Sequence, residues 1–244
     1  MVERNKHRSS IPAFPNVPDT PAYSIPDAAR YVMIPSGTLR TWVAGRYYPV
    51  SDEPKKYWRP LIRPPAKVPP WYLSFRNLAE AHVLATLRRQ HGISMEAVRR
   101  AINYVEDKLG DPHPLVNPHM RTDGVSLFLQ RYGRLEQVSH DGQLAIQEVL
   151  EMSLERLDWG PAGVLRLYPF TRGGAAARDW PKIVVIDPSV SFGKPVVTGT
   201  RVPTGAVFER WTAGDSFEDL VRDFDLSSLQ VQEAIRCEQL KEAA

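Results

Sequence analysis

The sequence contains one cysteine, Cys237, among 244 residues. A single cysteine excludes a disulfide within the chain and is typical of a protein in a reducing compartment. No apolar run approaches the length of a membrane-spanning helix, and residues 1–8 lead into no apolar segment of the kind found in secretory signals. We therefore expect a cytoplasmic protein with no membrane partner.

The sequence also lacks the motifs of common catalytic and metal sites. No G-x-S-x-G nucleophile motif is present, and Gly193-Lys194 fails the phosphate-loop pattern because Pro188 and Pro195 occupy its required positions. His113 and His119 share a proline-rich loop without a cysteine or a helical histidine pair, so we interpret them as loop surface. We therefore expect a protein that is not an enzyme and needs no cofactor and no metal.

Charge is distributed unevenly along the chain, within an overall net charge of +3. Residues 1–110 contain 17 Lys and Arg against 9 Asp and Glu, whereas residues 111–244 contain 14 against 19. A basic half is typical of a protein with a polyanionic partner, although such an asymmetry can also be incidental. The acidic half suits a different partner.

Two short helices with a tight corner between them are predicted over residues 23–45. Ser24 followed by Asp27 has the pattern of a helix N-cap. Ser36 is expected to cap the second helix, and Gly45 to follow its end.

The second helix has one apolar face and one small polar face. Leu39, Trp42 and Val43 recur at helical spacing and are expected to be buried. Arg40 and Thr41 lie on the other face, as in a helix that enters the major groove of DNA. The alternative is a two-helix fragment of an ordinary helical core.

Two aromatic and β-branched runs follow, Arg46–Val50 and Tyr57–Ile62, on either side of a polar turn. We interpret them as a β-hairpin, which behind a recognition helix forms a wing; a solvated loop is the alternative. Arg40 and Thr41 would contact base edges, and the basic residues of the hairpin would contact phosphates. The residues that we expect to contact DNA are Ser36, Thr38, Arg40, Thr41, Arg46, Tyr47, Lys55, Lys56 and Arg59.

Two longer helices are predicted next, Phe75–His91 capped by Ser74 and Met95–Leu109 capped by Ser94. In the second one, apolar residues separated by steps of three and four form a seam, which either packs in the core or forms a coiled-coil dimer contact. The seam consists of Met95, Val98, Ile102, Val105 and Leu109.

Residues 23–110 resemble the winged helix-turn-helix DNA-binding domain of MerR-type regulators. The resemblance is carried by Thr38-Leu39-Arg40-x-Trp42, by Gly45 and by the run Leu73-Ser74-Phe75-Arg76-Asn77-Leu78. It implies binding to operator DNA as a dimer. The hairpin is longer and richer in proline than is usual in that family. No long coiled-coil helix follows, so effector sensing is not implied.

Residues 111–181 are expected to form a small α+β segment without chemistry of its own. Asp123-Gly124 lies between the segments Met120–Thr122 and Val125–Leu129, in the pattern of a β-hairpin. The other predicted elements are a strand over 134–139, a helix over Gln143–Leu154, and strands over Val164–Tyr168 and Ile183–Ile186.

Three short helices are predicted near the end of the chain, capped by Thr204, Ser216 and Ser227. They follow a strand-and-turn segment with three short motifs: Asp187-Pro188, Gly193-Lys194-Pro195 and Gly199-Thr200-Arg201.

This pattern, over about residues 183–240, resembles a domain of VapB-like type II antitoxins that pair with PIN-type ribonucleases. The resemblance implies a protein that neutralises a PIN-type ribonuclease toxin encoded by the adjacent gene and represses its own operon. The expected assembly is a homodimer or a higher toxin–antitoxin complex.

Arg201 is the residue of this motif with two open interpretations. Its guanidinium either locks the turn, by bonding carbonyls or a carboxylate such as Asp187, or enters the acidic metal-binding pocket of the ribonuclease. Arg210, Arg222 and Arg236 are further candidates for toxin contacts, with solvated helix faces as the alternative.

The sequence thus predicts a mainly helical α+β protein in four parts. These are a mobile arm (1–22), a MerR-like winged helix-turn-helix domain (23–110), an α+β middle segment (111–181) and a three-helix, helix-turn-helix-like antitoxin domain (182–244). The expected function is that of an antitoxin, and the alternative is a free-standing MerR-like transcriptional regulator without a toxin. An enzyme acting on nucleic acid has the least support, because no carboxylate cluster with metal spacing is present.

Overall fold

The computed structural model describes residues 17–50, 53–67, 69–90, 92–161, 163–172 and 180–242. Within these ranges the protein is mainly helical, with small two-stranded antiparallel sheets. None of the helices in the same ranges combines the length and the apolar composition needed to cross a membrane.

The N-terminal elements include the predicted pair of short helices and the predicted hairpin. They are β1 (Tyr23–Ser24), α1 (Ile25–Tyr31), α2 (Ser36–Ala44), β2 (Arg46–Val50), β3 (Glu53–Trp58), β4 (Tyr72–Leu73), α3 (Phe75–Arg89) and α4 (Met95–Leu109). Strand β1 pairs with β4, and β2 pairs with β3 to form the hairpin.

The helix caps agree with the sequence at α1, α3 and α4 but not at α2. Ser24, Ser74 and Ser94 each accept a hydrogen bond from the backbone N–H three residues on. The prediction that Ser36 caps α2 is wrong, because Ser36 is already the first helical residue. Pro35 precedes the helix in an extended conformation, and its carbonyl accepts from the N–H of Thr38 at 2.9 Å.

Residues 17–22, which the sequence assigns to a mobile arm, contact the body of the chain. Val17–Asp19 form a short 3-10 turn. Asp19 Oδ1 lies 2.7 Å from Arg76 Nε, and Ala22 donates its N–H to the Leu73 carbonyl at 2.9 Å. Residues 1–16 of the predicted arm lie outside the described ranges.

The elements after α4 are two helices, two short hairpins and three further helices. They are α5 (Asp123–Glu136), α6 (His140–Leu154), β5 (Leu157–Gly160), β6 (Gly163–Leu167), β7 (Val184–Val185), β8 (Val196–Val197), α7 (Thr204–Thr212), α8 (Phe217–Phe224) and α9 (Ser228–Glu242). Strand β5 pairs with β6, and β7 pairs with β8. The helix predicted over Gln143–Leu154 and the strands predicted over Val164–Tyr168 and Ile183–Ile186 are confirmed to within a few residues.

The hairpin predicted around Asp123-Gly124 and the strand predicted over 134–139 are wrong. Residues 123–136 form one helix, α5, preceded by a 3-10 turn over Pro118–Arg121. The apolar residues of α5 recur at helical rather than alternating spacing, which overrides the local turn signal. Those buried are Val125, Phe128, Leu129 and Tyr132.

Gly124, the glycine of the Asp123-Gly124 pair, has a packing role. A Cβ at Gly124 would lie 2.8 Å from Met120 Sδ, so the glycine permits the close approach of α5 to the preceding turn. Gly124 is buried inside α5 and not in a reverse turn.

One hydrophobic core extends from Tyr23 to Ile186. Helix α3 lies at its centre, packed against α1 and α6, and α4 packs against α5. The core is therefore continuous across residue 110, where the sequence predicts a boundary. Val98, Ile102 and Val105 of the α4 seam are buried in this core, which confirms the core interpretation over a coiled-coil contact.

A second, smaller core lies between the three C-terminal helices. Its buried members are Val197, Val207, Leu220, Leu226, Val231, Ala234 and Ile235. Ser216 and Ser227 cap α8 and α9 as predicted. Thr204 does not cap α7: Pro203 holds that position, and the buried Thr204 hydroxyl bonds to the Glu238 carboxylate of α9 instead.

Gly45 is the residue at which the chain leaves α2 and enters the hairpin. Its φ is +71°, a region that L side chains rarely adopt. A Cβ at this position would lie 2.5 Å from the Trp58 carbonyl oxygen and 2.5 Å from Tyr57 Oη. The hairpin can therefore pack closely on the end of α2 only because residue 45 is glycine.

We predict that Gly45→Ala lowers the free energy of unfolding by about 1–3 kcal/mol, since it adds both backbone strain and overlap. Gly37→Ala is the matched control. Gly37 lies within α2 with open space where its Cβ would be, so alanine there should be neutral or stabilise by up to about 1 kcal/mol. Urea denaturation of both variants measures this difference, and equal destabilisation by the two would contradict it.

Candidate functional site

Helix α2 is fixed in the fold by its apolar face. Leu39, Trp42 and Val43 are buried, with Trp42 only 4% exposed, as the sequence predicts. The Trp42 carbonyl accepts two backbone hydrogen bonds, from Leu61 N at 2.7 Å and from Ile62 N at 3.1 Å. The connector after the hairpin therefore holds the C-terminal end of α2 in one orientation.

The opposite face of α2 is open. Arg40 is exposed and has no hydrogen bond or ion pair with any residue in the described ranges. Ser36, Thr38 and Thr41 are half-buried beside it. Thr41 Oγ1 donates to the Thr38 carbonyl at 2.7 Å, which orients the hydroxyl and leaves its lone pairs free to accept.

The hairpin places further expected contact residues next to α2. Tyr57 Oη donates to the Ala44 carbonyl at 2.9 Å, so β3 is attached to the end of α2. The Tyr47 ring, 68% exposed, lies 4.9 Å from the Tyr57 ring. Arg46 and Arg59 are exposed. The backbone of Lys55 and Lys56 lies in β3, but their side chains fall outside the described part of the structure.

Two arginines that the sequence analysis missed lie beside this surface. Arg88 near the end of α3 and Arg99 of α4 line a cavity next to α2. In the sequence they are basic residues of Arg88-Arg89 and Arg99-Arg100 pairs, which are typical of solvated helix faces. Only the packing of α3 and α4 against α2 and the hairpin brings them here, so no local signal identifies them.

The C-terminal candidate Arg201 is exposed, and it has no partner among the described residues. The interpretation in which Arg201 locks the turn through a carboxylate such as Asp187 is wrong, because Asp187 Oδ2 accepts from Arg166 Nε at 2.9 Å. Thr200 holds the turn instead: its hydroxyl donates to the Val197 carbonyl at 2.8 Å and accepts from Val202 N at 3.0 Å.

Asp187 remains ionised although it is buried. Burial alone would raise the pKa of its carboxyl, but hydrogen bonds from Ser189 and Arg166 outweigh burial and hold the pKa below its ordinary value. This carboxylate therefore serves to join β6 to the loop after β7.

The other three candidate arginines are paired within the chain. Arg210 Nη2 lies 2.9 Å from Asp223, and Arg222 Nε lies 3.2 Å from the same carboxylate. Arg236 Nη1 donates to Glu233 at 2.7 Å. Exposed ion pairs such as those of Arg210 and Arg222 are weak, so their guanidinium groups can still exchange partners.

Glu233 ties α9 to the segment after β6. Its side chain is fully buried, and its carboxylate accepts hydrogen bonds from Thr171, Arg172 and Arg236. Burial alone would raise the pKa of Glu233, but these three hydrogen bonds lower it below its ordinary value. An ionised carboxylate is therefore held inside the protein by its donors.

The same segment contacts the helix-turn-helix through Phe170. The His82 ring stacks on the Phe170 ring at 5.1 Å, and the Arg89 guanidinium lies 5.6 Å from it. Arg89 Nη1 also donates to the Val32 carbonyl, at the corner between α1 and α2, at 3.0 Å. Residues 170–172 thus connect that corner with α9.

His119 is exposed, as the sequence suggests, but His113 lies in a different environment. His113, interpreted as loop surface, has its Nδ1 3.1 Å from the buried Glu80 carboxylate. Burial lowers the pKa of His113, but the Glu80 interaction outweighs burial and raises it. No group of three His, Cys, Asp or Glu side chains in the described ranges could hold a metal ion.

Family comparisons describe the two ends of the chain. Residues 21–102 match a family described as "Putative DNA-binding HTH domain". Residues 184–236 match a family described as "Protein of unknown function (DUF433)". The first match covers α1, α2, the hairpin and α3, so the region with the exposed Arg40 is similar to helix-turn-helix domains.

Similar proteins cover most of the chain. A Mycobacterium tuberculosis protein named "Putative antitoxin VapB45" is 27% identical over 231 residues, which are 89% of this chain and 93% of that protein. A second protein of the same organism, "Uncharacterized protein Rv2308", is 24% identical and covers 89% of this chain and 90% of its own length.

A solved structure has the same fold. The X-ray crystal structure of Rv2018 from Mycobacterium tuberculosis superposes with a TM-score of 0.62 at 21% identity, covering 89% of this chain and 98% of the other. The chain is therefore similar over most of its length both to a protein named an antitoxin and to a solved fold.

The Glu233 cluster makes a pH-dependent contribution to stability. We predict that Glu233→Gln lowers the free energy of unfolding at pH 7 by about 1–3 kcal/mol, because two guanidinium groups lose their buried counter-charge. The folded-state pKa of Glu233 lies below its ordinary value of 4.5. The stabilisation is therefore present above that value and is lost as the pH falls through the lower, folded-state pKa.

Chemical denaturation between neutral and acidic pH measures this effect. The gap between wild type and Glu233→Gln should close in acid. Glu209→Gln, at an exposed glutamate of α7, is the control and should leave stability unchanged at every pH. A gap that stays constant with pH would contradict the prediction.

Proposed function

We propose that this protein is an antitoxin that represses its own operon. Its N-terminal half binds operator DNA as a MerR-like winged helix-turn-helix, and its C-terminal domain holds a PIN-type ribonuclease toxin encoded by the adjacent gene. On this proposal the chain is a binding protein and not an enzyme.

The observation that carries the DNA-binding proposal is the orientation of α2. Its apolar face is buried while Arg40 stays exposed and unpaired among the described residues. A recognition helix needs this arrangement, since its free face must reach base edges while the rest of the domain holds it rigid. The match of residues 21–102 to a helix-turn-helix family supports it.

The residues divide between sequence readout and phosphate contact. Arg40 suits a guanine, whose O6 and N7 accept two hydrogen bonds from one guanidinium, and Thr41 suits a neighbouring base. Ser36 and Thr38 lie at the start of the same helix. The hairpin residues expected on phosphates and sugars are Arg46, Tyr47, Lys55, Lys56 and Arg59.

A homodimer on an inverted repeat would place two α2 helices in successive major grooves. Such an operator has two half-sites related by the same two-fold axis as the protein. A higher assembly with the toxin would keep this symmetry if each protomer held one toxin.

Arg201 is the residue that best fits the toxin proposal. It is exposed and lacks a carboxylate partner in the described ranges, so it can bind an acidic surface without breaking an existing ion pair. A guanidinium matches carboxylates bidentately and would compete with a metal ion for them in a PIN-type active site. Similarity to a protein named an antitoxin supports this assignment.

A regulator without a toxin is the second candidate function. The internal ion pairs of Arg210, Arg222 and Arg236 favour it, because those side chains already have acidic partners. The two functions share DNA binding and differ only in whether the adjacent gene product is a partner.

For DNA binding, we predict that Arg40→Ala weakens operator binding by about 1–3 kcal/mol and relaxes the sequence preference at one base pair. Fluorescence anisotropy with a duplex from upstream of the gene measures this. Arg134→Ala, which removes an equal charge from the exposed face of α5, is the control. Identical titrations for the two variants would contradict the role of Arg40.

For toxin binding, we predict that Arg201→Glu abolishes or strongly reduces co-purification of the adjacent gene product from cells that express both genes. Lys194→Glu makes the same charge change at another exposed residue of this domain and should retain the complex. If no protein co-purifies with the wild type, the regulator without a toxin is favoured. If both variants retain the complex, Arg201 does not bind the toxin.

A further inference from the structure

A cavity of about 220 Å³ lies along one side of the proposed recognition helix, α2. Its walls come from α2, the two hairpin strands, the connector after the hairpin, α3 and α4. It is therefore formed where the helix-turn-helix, the wing and the core helices meet, and it opens beside the surface on which DNA is proposed to lie.

Among the described residues, the charges that line the cavity are all of one sign. Arg46, Arg88 and Arg99 line it from three different elements, and no carboxylate of the described part of the chain lines it. Two acidic residues of α4 are paired elsewhere: Glu96 with Arg100, and Glu106 with Arg63 at 2.9 Å. Three guanidinium groups without a counter-charge define a site for an anion.

Arg99 is held in position for such an anion. Its Nη1 donates to the Arg59 carbonyl, and its guanidinium lies 5.5 Å from the Trp58 ring. Its Nε is buried and has no hydrogen-bond partner among the described residues. Burial lowers the pKa of Arg99 because the cation has lost part of its water. A ligand that supplies negative charge would offset that loss.

The N-terminus of α2 also favours binding of an anion. Gly37 and Thr38 also line the cavity. No side chain caps the N-terminal N–H groups of α2, because Pro35 at the N-cap position has no hydrogen-bonding side chain. Gly37 has open space where a Cβ would be, so the positive end of the helix is open to an anion.

We propose that this cavity binds a phosphate of the DNA backbone, and that Arg88 and Arg99 belong to the DNA-binding surface. This inference rests on the proposed function. It extends the surface beyond the helix-turn-helix and the hairpin to the core helices α3 and α4. A phosphate bound here would touch both α2 and α4, and so would set the depth at which α2 enters the major groove.

The test measures how salt affects DNA binding by the full chain. Each phosphate contact contributes about 0.9 to the slope of log K against log salt concentration, independently of sequence. Arg88→Ala and Arg99→Ala should each weaken DNA binding. For each variant, the loss of affinity should be the same for the upstream duplex and for a shuffled duplex. Each should also reduce the slope by about one. Arg88 is exposed, so its variant reports on the cavity even if Arg99→Ala disturbs the packing against Trp58.

Arg100→Ala is the matched control. Arg100 follows Arg99 on α4, is exposed and pairs with Glu96, so its loss should leave the slope unchanged. If wild type binds both duplexes and all three variants have its slope, the phosphate site is wrong while DNA binding stands. If wild type binds neither duplex, the proposed function fails and this inference fails with it.

A final experiment distinguishes a phosphate of DNA from a free anion as the ligand of the cavity. Inorganic phosphate is added to the wild type and to Arg99→Ala, and the melting temperature of each is measured. Free phosphate that stabilises only the wild type, together with unchanged salt slopes in the DNA titrations, would make the cavity a site for a free anion and overturn the DNA proposal.

Discussion

The structure depends on how the C-terminal end of α2 is fastened to the chain that follows it. Trp42 is buried, and its carbonyl accepts two backbone hydrogen bonds from the connector after the hairpin. Gly45 lets the hairpin return closely enough for Tyr57 to bond the Ala44 carbonyl. Because the helix is held from its buried side, Arg40 projects from a rigid support, which is what base readout requires.

A second set of contacts joins this region to the end of the chain. Phe170 packs on His82 and near Arg89, whose guanidinium bonds the carbonyl at the corner before α2. The next residue, Thr171, bonds Glu233 of α9. A protein bound to the C-terminal helices would therefore contact a part of the chain that residues 170–172 connect to the region presenting α2.

Local patterns predicted α2, through the spacing of Leu39 and Trp42 and the glycine at position 45, and the hairpin, through two aromatic runs around a polar turn, because each signal spans only a few residues. The same approach failed at Asp123-Gly124, where a turn dipeptide begins a helix whose apolar spacing decides the structure. The sequence also could not predict which side chains pair with one another. Asp187 bonds Arg166 and not Arg201, and Arg88 lines the cavity beside α2, only because distant elements pack together.

The central claim is that α2 is a recognition helix. The most direct measurement is a crystal structure of the full chain bound to a duplex from upstream of its gene. We expect α2 to lie in the major groove, with Arg40 within hydrogen-bonding distance of a base edge. A complex in which α2 faces away from the DNA, or in which another surface covers Arg40, would contradict it.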